Sequence, residues 1–92
     1  MTELRREIGI VNQRGLHARA SAKFVNAVAE LPAGTSVRVV KDGTEAAGGS
    51  ILGLMMLGAA MGDTIEIRAT GERAEDALAQ LVSLVTSRFG ED

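Results

Sequence analysis

The chain has 92 residues, with ten Lys and Arg against twelve Asp and Glu and a net charge of −2 at pH 7. This length predicts one small domain over residues 1–92. The scattered charge and the two Phe as sole aromatics give no support for binding nucleic acid or an anionic membrane. Without cysteine and with a single histidine, the chain offers neither disulfides nor a zinc cluster, so we expect no metal and no cofactor.

The sequence also contains no pattern typical of export or membrane insertion. The N-terminal segment lacks the apolar stretch of a secretory signal. The longest apolar region, Ile51 to Met61, is interrupted by glycines and is too short to cross a bilayer. We therefore expect a cytoplasmic protein.

The first half of the chain predicts a strand, a helix and a hairpin. Leu4 to Val11 repeats apolar residues with period two and predicts a strand, and residues 12–15 form a loop. Ala18 to about Leu31 has the apolar spacing of an amphipathic helix. Thr35 to Lys41 alternates again, and Asp42-Gly43 is a hairpin turn into a short strand at Thr44 to Ala47.

The second half predicts a short helix, a strand and a long helix. Ser50 is a good N-cap for a helix that runs to about Leu57, and Asp63 to Thr70 alternates as a half-buried strand. The apolar stripe of the last helix comprises Ala74, Ala77, Leu78, Leu81, Val82, Val85 and Phe89, and Gly90 ends it. This order predicts an α+β fold in which helices cover one face of an antiparallel sheet and the other face is solvated.

The only histidine, His17, lies where the predicted loop gives way to the first helix. Backbone N–H groups in the first turn of a helix lack intrahelical partners and attract anions. A neutral imidazole can offer a nitrogen lone pair to phosphorus, and the Arg19 guanidinium matches phosphate oxygens. These residues favour a phosphate-handling site. The simpler alternative makes His17 a capping residue and Arg19 a solvated helix residue.

The sequence lacks the other parts of a complete phosphoryl-transfer enzyme. It contains no GxxxxGK[ST] loop for a nucleotide and no paired-acid motif. We therefore interpret His17 as the site of a covalent phosphohistidine intermediate in a phosphoryl carrier, rather than as the centre of a stand-alone enzyme. Partner proteins would supply the rest of the catalytic apparatus.

The helix that begins at Ser50 is apolar all round. Leu54 and Leu57 are predicted to be core residues, but a helix on one face of a two-layer fold must expose another side. Exposed apolar patches mark docking sites, and methionine suits adaptable surfaces. The candidate docking residues are Ile51, Leu52 and Met55. With this one modest patch, a monomer is expected.

Two segments resemble the signatures of one family. Gly15-Leu16-His17-Ala18-Arg19 resembles the active-site signature of HPr, the histidine-containing phosphocarrier of the bacterial phosphoenolpyruvate-dependent phosphotransferase system. Ser50-Ile51-Leu52-Gly53-Leu54-Met55 resembles the second signature of that family. Both occur in the family's order, and the succession of elements covers nearly the whole chain. One departure is Ala20, where the family often has proline.

The resemblance implies a fold and a phosphoryl route. The fold is an open-faced βαββαβα sandwich, with a four-stranded antiparallel sheet covered on one face by three helices. The phosphoryl group passes from phosphoenolpyruvate through enzyme I to Nδ1 of His17, with Arg19 assisting, and then to a IIA-type acceptor. Ser50 corresponds to the serine that an HPr kinase/phosphorylase modifies in some members. Members serve either sugar uptake or a regulatory, nitrogen-related branch, and both stay open.

Two other functions also stay open at this point. A non-carrying regulatory module would dock partners through the helix from Ser50 to Met56 and use His17 only as a cap. A small-molecule sensing domain of the ACT type is suggested by the order of elements alone.

Overall fold

The computed structural model describes residues 2–91, so Met1 and Asp92, the ends of the expected 1–92 domain, lie outside the described residues. Its elements are β1 (Leu4–Gly9), α1 (Ala18–Ala29), β2 (Ser36–Lys41), β3 (Thr44–Ala47), α2 (Ile51–Met56), β4 (Thr64–Thr70), α3 (Ala74–Thr86) and a closing 3-10 turn (Arg88–Gly90). Over residues 2–91, every helix is too short or too polar to cross a membrane.

The four strands form one antiparallel sheet in the order β1-β4-β2-β3. Strand β4 lies between β1 and β2 and pairs Ile65 with Ile8 of β1 and Ile67 with Val39 of β2. Because side chains alternate along a strand, Ile65 and Ile67 share the buried face while Glu66 and Arg68 share the other. The predicted alternation of β4 is confirmed.

The helices pack on the face of the sheet that carries the buried aliphatic residues. Each helix contributes a fully buried side chain, with Phe24 from α1, Leu54 from α2 and Leu81 from α3. The opposite face carries ion pairs such as Arg38 with Glu45. The predicted open-faced sandwich, with three helices on one face of a four-stranded sheet, is therefore confirmed.

Several element boundaries differ from the sequence-based expectation. Helix α1 ends at Ala29 rather than about Leu31, and β2 and β4 each begin one residue later than expected. Strand β1 ends at Gly9 rather than Val11, although Ile10 still exchanges backbone hydrogen bonds with the segment before β4. The last helix ends at Thr86, so the prediction that it includes Phe89 was wrong. Arg88 and Phe89 have φ values of 61° and 55°, in the left-handed region, so the chain leaves the helix and returns Phe89 to the core.

Candidate functional site

His17 is the N-cap of α1, and its own side chain makes the capping hydrogen bond. The residue has extended backbone angles, and Nδ1 of its ring accepts the backbone N–H of Arg19 at 3.1 Å. Its carbonyl oxygen accepts the first hydrogen bond of the helix, from Ser21 at 2.9 Å. The ring is 21 % exposed. His17 is thus a capping residue, and its capped ring is partly exposed to solvent.

The second ring nitrogen of His17 faces a carboxylate from the far end of the chain. Nε2 lies 2.6 Å from Oε2 of Glu91. Since Nδ1 accepts a backbone N–H, the proton of a neutral ring belongs on Nε2, which donates to Glu91. The two partners therefore select one tautomer and leave the lone pair on Nδ1, at the start of a helix.

Glu91 is itself held by a buried amide. Nδ2 of Asn12 donates to Oε1 of Glu91 at 3.1 Å and to the Gly15 carbonyl at 2.8 Å, and Asn12 is 1 % exposed. Burial raises the pKa of the Glu91 carboxyl, but the hydrogen bonds from Asn12 and His17 outweigh burial and lower this pKa. The carboxyl is therefore ionised at neutral pH.

Three cations line a polar cleft beside this group. The cleft is bordered by Gln13, Arg14, Arg19, Lys23, Gly90 and Glu91. Lys23 also donates from Nζ to the Phe89 carbonyl at 2.6 Å. Cations at a helix start and in the loop before it create a positive field that suits an anionic ligand. The sequence analysis identified Arg19 but missed Arg14 and Lys23. Arg14 lies three residues before His17, and Lys23 lies one helical turn after Arg19, so these spacings could have indicated both residues.

Gly15 packs the loop that carries His17 against the segment following α2. It has a φ of 62°, and a Cβ there would lie 2.2 Å from the Ala59 carbonyl oxygen. The neighbouring Leu16 N–H donates to that same oxygen at 3.0 Å. The two segments singled out from the sequence are thereby joined through Ala59.

The start and the core side of α2 agree with the sequence analysis. Oγ of Ser50 accepts the Gly53 N–H at 2.9 Å, so the predicted N-cap is confirmed. Leu54 and Leu57 are buried as predicted.

The other sides of α2 form an apolar surface, which we call the α2 surface. It comprises the exposed side chains of Ile51, Leu52, Met55 and Met56. Met56 is the most exposed of the four, at 76 %, and was missed, although the all-round apolarity of the helix was a signal for it. Met61, in the segment after α2, is also exposed.

A family model described as "PTS HPr component phosphorylation site" matches residues 4–87. The chain belongs to the HPr family. The match includes both signatures, so His17 and the α2 surface lie within the region that defines the family.

Relatives named HPr and relatives named NPr both match this chain over nearly its full length. It is 41 % identical over 88 residues to phosphocarrier protein HPr of Neisseria meningitidis serogroup B, covering 96 % of this chain and 97 % of the relative. It is 38 % identical over 92 residues to phosphocarrier protein NPr of Escherichia coli K12, covering 97 % and 98 %. The family assignment therefore carries a phosphocarrier role in the phosphotransferase system and extends to proteins of both names.

Solved HPr structures share the fold. The crystal structure of HPr-C-His from Thermoanaerobacter tengcongensis superimposes with a TM-score of 0.88 at 37 % identity, covering 100 % of this chain and 99 % of that one. A crystal structure described as an HPr dimer from the same organism has a TM-score of 0.74 at 38 % identity, covering 91 % and 94 %. The open-faced sandwich is thus shared by this chain and these solved relatives.

Proposed function

We propose that this protein accepts a phosphoryl group on Nδ1 of His17 from phospho-enzyme I, which is charged by phosphoenolpyruvate, and passes the group to IIA-type acceptors. The observation that carries the proposal is the ring geometry. Nδ1 accepts a backbone N–H at 3.1 Å, while Nε2 lies 2.6 Å from the Glu91 carboxylate. The unprotonated nitrogen therefore lies at the helix start, where an anion is stabilised.

The proposed transfer needs no proton to leave the ring. The Nδ1 lone pair forms a bond to phosphorus while the bond from phosphorus to the donor breaks, and that electron pair departs with the donor. The Arg19 N–H, which caps Nδ1 in the resting protein, is then free to donate to a phosphoryl oxygen. Transfer to an acceptor reverses these events and returns the lone pair to Nδ1.

The cations of the cleft support the same step. A phosphoryl group brings roughly −1.5 to −2 of charge. Arg19 is exposed at the start of α1, and Arg14 and Lys23 border the cleft with it. Exposed contacts of this kind contribute roughly 0.3 to 1 kcal/mol each. Such modest stabilisation suits a carrier, which must also release the group.

The α2 surface is the proposed docking site for donor and acceptor proteins. The proposal assigns Ile51, Leu52 and Met55 to partner contact, and Met56 extends the same surface. The Leu16 to Ala59 hydrogen bond supports this arrangement because it ties the loop of His17 to the segment that leaves α2. A partner seated on α2 would then meet the ring as well. We propose that this occurs in the cytoplasm, with the carrier acting as a monomer.

Ser50 is the proposed regulatory site, to be modified by an HPr kinase/phosphorylase. Its hydroxyl is half-buried and caps α2 through Gly53 at 2.9 Å. The helix start would tolerate a phosphate there, but the added charge would stand at the edge of the α2 surface. Modification is therefore expected to weaken docking while leaving the fold intact.

Labelling with isotopic phosphoenolpyruvate tests the proposal. Wild-type protein incubated with a cognate enzyme I should acquire one acid-labile phosphoryl group, and His17→Ala should acquire none. Adding sugar-branch and nitrogen-branch IIA proteins in parallel should discharge the label to one of the two. Absence of label on the wild type, or equal labelling of His17→Ala, would overturn the proposal.

A further inference from the structure

The segment from Phe89 to Glu91 is anchored beside His17 by the burial of Phe89 and by three hydrogen bonds. Phe89 is fully buried in the core, and its carbonyl accepts a hydrogen bond from Nζ of Lys23 at 2.6 Å. Two residues later, Oε1 of Glu91 accepts from buried Asn12 and Oε2 accepts from the His17 ring. The Glu91 side chain is only 16 % exposed. This arrangement fixes a carboxylate against the ring nitrogen that the proposed chemistry does not use.

We propose that Glu91 is the positioning residue of His17: held by Asn12, its carboxylate keeps the proton on Nε2 and balances the positive charge that the ring gains when Nδ1 bonds to phosphorus. The proposal rests on the proposed function of His17 and assigns a role to a residue outside both signatures. In this proposal, the segment from Ser87 to Glu91 holds the Glu91 carboxylate against His17 as well as packing Phe89 into the core.

The charge balance of the transfer explains why a carboxylate is suitable here. A neutral ring that donates its Nδ1 lone pair to phosphorus becomes an imidazolium, with the original proton still on Nε2. Its hydrogen bond to the ionised Glu91 then joins two opposite charges, which attract each other more strongly than a carboxylate attracts a neutral ring. A buried aspartate stabilises the imidazolium of a Ser-His-Asp triad by the same physical principle. When the group leaves, the electron pair returns to Nδ1 and the ring is neutral again.

The geometry also explains why a neutral amide would not substitute. Glu91 receives two donors, Nδ2 of Asn12 and Nε2 of His17, one on each oxygen. A glutamine has one oxygen and one NH₂, so one of those donors would face another donor. Turning the NH₂ towards Nε2 would favour a proton on Nδ1, where it would meet the Arg19 N–H. A glutamine at position 91 is nearly isosteric with glutamate, but it cannot accept hydrogen bonds from both Asn12 and His17.

Two variants and one control separate positioning from folding. Glu91→Gln removes the negative charge of the Glu91 side chain. Asn12→Asp leaves both Glu91 and His17 in place but sets a second carboxylate against Glu91. Glu72→Gln is the matched control, because Glu72 is exposed and lies at the opposite end of α3 from Glu91. Each variant is compared with wild type by thermal unfolding, by the rate of labelling from phospho-enzyme I, and by the ¹⁵N spectrum of the His17 ring.

The wild-type ring should show a pyridine-type Nδ1 and a pyrrole-type Nε2. In Glu91→Gln and Asn12→Asp, both nitrogen shifts should move towards averaged values, and the labelling rate should fall about 10-fold, the effect of losing one hydrogen bond to a charged group. Glu72→Gln should match wild type. A folded Glu91→Gln with an unchanged ring spectrum, or with a labelling rate within twofold of wild type, overturns the inference. If the wild type accepts no phosphoryl group, the proposed function is refuted. The ring spectrum would then still test the contact between Glu91 and Nε2 of His17.

Discussion

Leu16 donates its backbone N–H to the carbonyl oxygen of Ala59 at 3.0 Å, and this hydrogen bond joins the loop that presents His17 to the segment that follows α2. The close approach depends on the absence of a side chain at Gly15, where a Cβ would lie 2.2 Å from the same oxygen. The loop of His17 and the segment that follows α2 are therefore joined by a direct backbone contact.

Gly15→Ala is expected to damage both stability and function. The substitution forces a Cβ into a left-handed backbone and against Ala59, so the free energy of unfolding should fall by about 2 to 4 kcal/mol. Urea unfolding measures this loss, and the labelling rate should fall under conditions where the variant is still folded. Gly34→Ala is the control, because Gly34 also has a positive φ but a Cβ there meets nothing within 4 Å. Equal losses for the two variants would argue against the contact.

Leu52 and Leu54 offer a matched pair on one helix. Leu52 is 67 % exposed on the α2 surface, whereas Leu54 is 0 % exposed in the core. Leu54→Ala should lower the free energy of unfolding by about 2 to 5 kcal/mol, while Leu52→Ala should change it little. Titration with enzyme I should give the opposite ranking for binding, with Leu52→Ala weakened and folded Leu54→Ala close to wild type. Unchanged binding by Leu52→Ala and by Met55→Glu would remove the α2 surface from the docking model.

Alternation in the strands and apolar spacing in the helices predicted the order of elements and an α+β fold with helices on one face of an antiparallel sheet. The resemblance to HPr implied the four-stranded open-faced sandwich. The end of the last helix was not predictable in this way. Phe89 continues the helical spacing and is buried, yet it lies in a left-handed turn after Thr86. Periodicity reports which residues face the core, and it does not report the backbone angles that bring them there.

In the candidate site, too, the sequence pattern reveals some residues and not others. His17 and Arg19 are two residues apart at a helix start, so their combination is visible in the sequence. Glu91 is 74 positions from His17, and no local pattern marks it. Its contact exists because the chain end folds back through Phe89, which only the tertiary structure reveals.

The arginines of the cleft should increase the rate at which His17 is labelled. Arg19→Ala removes the guanidinium at the helix start and should slow labelling by about 2- to 5-fold, the effect of roughly 0.3 to 1 kcal/mol per exposed contact. Arg14→Ala should act in the same direction, with a smaller effect at high salt because exposed charges are screened. Arg6→Ala, on the exposed edge of β1, is the control. If Arg19→Ala labels at the rate of Arg6→Ala, the guanidinium has no role in this step.

The ionisation of Glu91 gives a pH dependence to stability. Burial raises the pKa of its carboxyl in the folded protein, but hydrogen bonds from Asn12 and His17 and the charges of His17 and Lys23 together lower it below the ordinary value. The stabilisation is therefore fully present above the pKa of an unfolded glutamate and is lost as pH falls through the lower folded value. The difference in free energy of unfolding between wild type and Glu91→Gln should shrink between pH 7 and about pH 3. A difference that shrinks no more than that of the control Glu72→Gln would contradict the assigned contacts.

The ¹⁵N and ³¹P NMR spectrum of the protein after reaction with phosphoenolpyruvate and enzyme I tests most directly whether Nδ1 of His17 accepts the phosphoryl group. We expect a single phosphoryl resonance coupled to Nδ1 of His17, with Nε2 still carrying its proton towards Glu91. A phosphoryl group on Nε2, on another residue, or on no residue would contradict it.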